Sequence, residues 1–483
     1  MPPETLDVLI VGAGLSGISA AWHLQRHCPG RRFALLESRE AIGGTWDLFR
    51  YPGVRSDSDM HTLGYAFKPW TAAKAIADGP AILQYVRETA HENGIDAFIR
   101  FRHRVVRADF DTAGGLWTVD CERGEAKEPV RLACRFLLVC SGYYDYEQGH
   151  TPHFEGRETF GGRIVHPQHW PQDLDHRGRR VVVIGSGATA VTLVPAMADS
   201  AAHVTMLQRS PTYIIARPAS DAMSQALRRW LPERAAYTLT RWKNVLLGMA
   251  FFAWCRARPE SAKRLILHGV RRALGPGADV ARDFTPHYNP WDQRLCLVPD
   301  ADLFRVLRAG KASVVTDHVE RFTESGIRLR SGRELPADIV VTATGLQLKL
   351  LGGMAVSVDG QRVDFSQRLG YKGAMCSDLP NLAMVTGYTN ASWTLKADLT
   401  CAWVCRVLNH MQRHGHARCT PRLRDPDMPR LPWIDFSSGY VQRAVDQLPK
   451  QGARVPWRLY QNYMRDIVML KWRRVDDGVL EFS

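Results

Sequence analysis

Val8-Leu9-Ile10-Val11-Gly12-Ala13-Gly14-Leu15-Ser16-Gly17 places four apolar residues directly before a Gly-x-Gly-x-x-Gly turn. The apolar run predicts a buried strand. After the turn, Leu15, Ile18, Ala21, Trp22 and Leu24 recur at helical spacing and predict a helix. Glycines at such a junction let backbone approach a phosphate seated on the helix's N-terminal amides. A second strand, Phe33 to Glu37, follows, and Glu37 lies 25 positions after Gly12. A carboxylate there accepts hydrogen bonds from a ribose diol.

The pattern occurs twice. Val181-Val182-Val183-Ile184 leads into Gly185-Ser186-Gly187-Ala188-Thr189-Ala190, and the residue 24 positions after Gly185 is Arg209. An arginine in place of the carboxylate pairs with a 2′-phosphate. The two turns therefore predict two nucleotides on one chain, FAD first and NADPH second, and a redox enzyme. The expected class is α/β, with two Rossmann-like dinucleotide-binding domains. Strands closing on Ser141-Gly142 and on Ala343-Thr344-Gly345 suit crossings between them. The expected division is a discontinuous FAD domain, residues 1–150 and 340–483, around an NADPH domain at 151–339.

The 483 residues are 45% hydrophobic and 23% charged, as in ordinary globular chains. The start of the chain has no secretory pattern, and no apolar run is long enough to span a bilayer, so a cytoplasmic protein is expected. Ten cysteines without a Cys-x-x-Cys predict neither a disulfide framework nor a metal site. The net charge of +14 concentrates in a helical insertion at about 220–280. There, between Ser220 and Gly275, eleven basic residues face three acidic ones. The bland expectation is amphipathic helices with the apolar face packed and the basic face wetted. The alternative is peripheral contact with an anionic lipid surface. Nothing suggests nucleic-acid binding, and oligomeric state is not legible.

Between the two nucleotide units, Phe160-Gly161-Gly162-Arg163-Ile164-Val165-His166-Pro167-Gln168-His169-Trp170 fits Phe-x-Gly-x-x-x-His-x-x-x-Trp. With Gly43-Gly44-Thr45-Trp46-Asp47-Leu48-Phe49-Arg50-Tyr51-Pro52-Gly53, Tyr288-Asn289-Pro290-Trp291-Asp292-Gln293-Arg294-Leu295-Cys296 and Pro449-Lys450-Gln451-Gly452, it resembles the type I Baeyer–Villiger flavoprotein monooxygenases over nearly the whole chain.

The resemblance implies NADPH- and O2-dependent conversion of ketones to esters or lactones through a C4a-peroxyflavin, with sulfide or thioamide S-oxidation as a side activity. Arg294 is the implied catalytic cation and Asp57 its partner; an ordinary surface ion pair is the bland alternative. FAD contacts are expected from Gly12, Gly14, Ser16, Gly17, Glu37, Gly44, Thr45, Trp46, Asp47, Leu48, Arg55 and Val105. NADPH contacts are expected from Ile184 through Ala190, Arg209 and Ser210, with Lys396 assisting the nicotinamide. Phe160, Gly162, His166 and Trp170 are expected at a hinge, His166 as a structural rather than proton-transferring group. A heteroatom oxygenase acting on sulfur or nitrogen is the alternative enzyme. A disulfide reductase is disfavoured, because neither glycine turn has a Cys-x4-Cys nearby.

Overall fold

In the computed structural model, which describes residues 3–483, strand Glu4–Val11 has no exposed surface at Val8, Leu9 and Ile10. It lies parallel between Phe33–Leu36 and Glu128–Val139, with Val8 opposite Phe33 on one side and Phe136 on the other. A strand flanked on both edges and covered on both faces is apolar throughout rather than alternating. Antiparallel Leu116–Arg123 and His103–Asp111 extend this sheet. Late chain completes it: Ala355–Val358 pairs with His103–Asp111, and Leu382–Met384 with the end of Glu128–Val139.

The second sheet is five parallel strands in the order Ala312–Thr316, His203–Gln208, Arg180–Ile184, Ile339–Thr342, Arg163–Val165. The expected boundary at residue 340 therefore needs correcting. Val340 is paired in register with both Val182 and Ile164, so the boundary falls inside a hydrogen-bonded strand. The chain leaves this sheet after Ala343. Leu346–Leu348 then pairs antiparallel with Tyr144–Gly149, so the outgoing and returning crossings form one two-stranded ribbon.

Both nucleotide turns require glycine. Gly12 has φ +104°, and a Cβ on it would sit 2.7 Å from the Cys140 carbonyl oxygen; one on Gly17 would sit 1.9 Å from that of Gly12. Gly185 has φ +142°, and its Cβ would lie 2.3 Å from the Ala343 oxygen. Each turn is thus pressed onto the neighbouring strand's end.

The insertion also departs from expectation. Helix Pro259–Leu274 buries Leu267, Val270 and Leu274 in the second core, as its spacing predicts. Helix Glu233–Ala257 instead docks on the first half: the Tyr237 hydroxyl donates to the Tyr65 carbonyl, and Arg241 Nη1 donates to the His61 and Gly64 carbonyls at 2.8 and 2.7 Å. The insertion bridges the halves, and one of its basic residues points inward. No helix among the described residues is long and apolar enough to cross a membrane, and no described cluster of side chains could hold a metal ion.

Candidate active site

Helix Leu15–His27 begins at Gly14 without a side-chain cap, so its first amides are free to meet an anion. Gly43-Gly44 folds against this turn: a Cβ on Gly44 would lie 3.2 Å from the Gly14 Cα. Glu37 is buried at the end of its strand. One carboxylate oxygen accepts from the Ala13 amide at 2.8 Å and the other from the Arg39 amide at 2.9 Å. Ser16 accepts from Trp393 Nε1 at 2.8 Å, and Thr45 Oγ1 lies 3.1 Å from the Tyr146 hydroxyl. Burial pushes the Tyr146 phenol up to about 12, so it is a neutral donor beside the turn. Val105 is paired with Cys121 on one edge, while its other neighbour strand starts only at Arg107. Trp46 and Leu48 sit half-buried in the short helix Thr45–Leu48.

Two expected FAD contacts have other partners. The buried Asp47 carboxylate is held by Arg39, Arg50 and Arg87 at 2.5, 3.3 and 3.1 Å. Arg55 pairs with Asp302 at 2.5 Å and reaches the Val191 carbonyl, which ties the first unit's loop to the second unit.

At the second turn Ile184 is buried, Gly185 donates to the Leu207 carbonyl at 2.8 Å, and Ser186 Oγ donates to that of Ser210 at 3.0 Å. Gly187 caps helix Ala188–Ala198; a Cβ there would meet nothing within 4 Å. Ala188 is exposed, Thr189 half-buried and Ala190 wholly buried. Arg209 and Ser210 are exposed at the carboxyl end of the adjacent strand. Arg209 meets no carboxylate among the described residues, so its guanidinium is free for a phosphate.

Arg294 and Asp57 come from different halves. Arg294 precedes Cys296–Pro299, which pairs with Ile214–Arg217; Asp57 lies on the loop after Val54. Their contact is bidentate, Nε to Oδ2 at 2.6 Å and Nη2 to Oδ1 at 2.9 Å, with side chains 33% and 27% exposed. Burial works against the charge on Arg294, but Asp57 and the facing Tyr143, Tyr144 and Tyr440 outweigh it and hold its pKa above the ordinary guanidinium value. Burial raises all three tyrosines, so they stay protonated. Tyr440 arrives from late chain that carries no motif; Ser437 N donates to the Asp292 carbonyl and brings it in. Trp291, at φ +73°, turns the loop just before Arg294 in a region that disfavours bulky residues. Tyr143 also lines a cleft walled by Leu348, Leu351, Trp393, Trp433 and Tyr460.

Lys396 does not stand free for a nicotinamide. Its ammonium is buried, 3.0 Å from Asp466 Oδ2 and 3.2 Å from the Lys372 carbonyl. Burial lowers its pKa and Asp466 opposes that shift. Removing one partner of a buried pair strands the other charge, so Asp466→Ala is expected to cost about 3–5 kcal/mol, read from chemical denaturation.

Phe160 packs edge-on to Phe322 in a separate cluster with Val182, Ile184 and Val340, and a Cβ on Gly162 would lie 2.4 Å from the Asp338 oxygen. His166 presses on the crossing ribbon, since a Cβ on Gly149 would lie 1.9 Å from its Cε1. Its Nδ1 accepts from the Gln168 amide, and burial lowers its pKa toward a neutral ring. Trp170 is half-buried against the second core.

Residues 76–243 match the model of flavin-binding monooxygenase-like proteins, and residues 10–78 that of NAD(P)-binding Rossmann-like domains. The FAD-containing monooxygenase EthA of Mycobacterium tuberculosis is 56% identical over 481 residues, covering 99% of this chain and 98% of that protein. The chain belongs to the FAD-containing monooxygenases. The putative FAD-containing monooxygenase MymA of the same organism is 51% identical, again over 99% of this chain and 98% of its own length. An oxidised steroid monooxygenase bound to NADP superposes with TM-score 0.74 at 25% identity, covering 88% of each chain. A Rhodococcus cyclohexanone monooxygenase bound to NADP+, at TM-score 0.71 and 20% identity over 88% of this chain and 87% of its own, shares the fold. The monooxygenase is of the Baeyer–Villiger and flavin-containing type, with FAD and NADPH as cofactors. The two glycine turns, Glu37 and the unpaired Arg209 fit those cofactors.

Proposed function

We propose that this monooxygenase is a Baeyer–Villiger enzyme that converts ketones to esters or lactones, with sulfides and thioamides as secondary substrates. The observation that carries this reading is the bidentate Arg294–Asp57 pair facing three protonated tyrosines. Glu37 and Tyr146 would hold FAD, the Gly185 turn and Arg209 NADPH. When bound, FAD reduced by NADPH supplies oxygen activated from O2. One atom is inserted beside the carbonyl; the other leaves as water, with NADPH and one proton consumed.

Insertion beside a carbonyl develops negative charge on the carbonyl oxygen. A fixed guanidinium stabilises that charge without reorganising. Asp57 fixes the plane of Arg294 through two parallel contacts, which an ammonium could not match. Tyr143, Tyr144 and Tyr440 cover part of the cation and present phenol protons. His166, half-buried against the ribbon, orients the crossing and moves no proton. All ten cysteines are buried thiols, which suits a reducing cytosol.

A linear ketone supplied with NADPH and air is expected to yield ester, one NADPH consumed per ester formed. Sulfoxide from a thioether with no ester from any ketone would move the chain to the heteroatom oxygenases.

A further inference from the structure

Helix Glu233–Ala257 carries apolar residues on more than its packed face. It buries Ala236, Tyr237, Thr240, Arg241, Val245 and Cys255, yet Leu239, Trp242, Leu246 and Leu247 are 49%, 37%, 52% and 61% exposed. Spacings of three and four put Leu239, Trp242 and Leu246 on one stripe. A second exposed stripe, Met464, Val468 and Trp472, runs at intervals of four along the Tyr463–Trp472 helical segment. The stripes adjoin where the Trp242 and Tyr463 rings lie 5.9 Å apart. Single exposed apolar residues need no explanation, but a contiguous set of this size marks a contact surface.

The charge around the patch is one-sided. Arg465, Lys471, Arg473 and Arg474 are exposed on the same segment, and none pairs with a carboxylate among the described residues. Glu233 and Asp476 are exposed acids on these elements; Asp466 is buried on Lys396 and Asp477 is paired with Lys372. Tryptophans and aliphatics edged by unpaired Lys and Arg suit the boundary between acyl chains and anionic headgroups. A second copy would set the same unopposed cations against each other.

We propose that this face docks the protein peripherally on an anionic phospholipid surface. Leu246, Leu247, Val468 and Trp472 enter the acyl boundary, while Lys471, Arg473 and Arg474 meet headgroup phosphates. Asp466 on this segment and Tyr460 just before it line the cleft, which places docking surface and cleft on one short stretch of chain. Docking does not depend on which substrate is oxidised.

The test is co-sedimentation of the FAD-loaded protein with vesicles of phosphatidylcholine containing phosphatidylglycerol, against phosphatidylcholine alone. Binding is expected only with the anionic lipid, and it should weaken as salt screens the charges. The double variants Leu246→Glu/Leu247→Glu and Arg473→Glu/Arg474→Glu should each bind at least ~10-fold more weakly. An unchanged flavin spectrum and thermal midpoint would show that both are folded. Wild-type protein staying in the supernatant, or binding neutral vesicles equally, would overturn the proposal. So would light scattering that shows a wild-type oligomer which these variants dissociate, because the face would then be a protein interface.

Discussion

Arg294→Ala is expected to lower kcat/KM for ketone oxidation by on the order of 100- to 1000-fold. The side chain is the cation that faces Tyr143, Tyr144 and Tyr440, and its removal also leaves Asp57 beside them as an unpaired carboxylate. That carboxylate would repel the charge developing on the carbonyl oxygen, so the loss has two parts. Arg294→Lys should recover little, because an ammonium cannot make the two parallel contacts with Oδ1 and Oδ2. Measuring ester formed and NADPH consumed together separates this effect from misfolding: NADPH consumption should continue while ester falls. Oxidation of a thioether should fall less, since a sulfur nucleophile develops no oxyanion. Equal losses for ketone and thioether would deny Arg294 the role assigned to it.

Arg209→Ala is expected to raise KM for NADPH by ~10- to 100-fold, the range for losing a hydrogen bond to a charged group. NADH lacks the 2′-phosphate, so its KM should hardly move. The variant's preference between the two nucleotides, compared at equal concentration, is the readout. Arg209 stands exposed at the end of its strand with no competing carboxylate, so its replacement should leave the thermal midpoint unchanged. A parallel loss for both nucleotides would mean that the substitution had disturbed the Gly185 turn instead.

Legibility follows the range of the interactions. Each nucleotide turn is local: strand, glycines and helix lie within about twenty residues, so composition and spacing carry them. Ile339–Thr342 reads as a buried strand, but an apolar run does not say which sheet receives it, and it lies between Arg180–Ile184 and Arg163–Val165. Arg55, Asp47 and Lys396 show a second limit. A charged residue beside a cofactor motif reads as a contact, but its protein partners are not legible: these three are also held by Asp302, by three arginines and by Asp466. Tyr146 and Tyr440 lie outside any motif and reach the site only through long-range folding. Arg241 shows a third limit. The short helix Met60–Leu63 ends with carbonyls at His61 and Gly64 that the guanidinium satisfies, so this basic position turns inward among Ala236, Tyr237 and Val245.

Labelling the reaction with 18O2 tests the central claim most directly. Purified protein, NADPH and a ketone under 18O2 should give an ester in which the bridging oxygen, and only that atom, is heavy, with one NADPH consumed per ester. An unlabelled ester, or consumption of NADPH and O2 that ends in hydrogen peroxide with the ketone untouched, would contradict it.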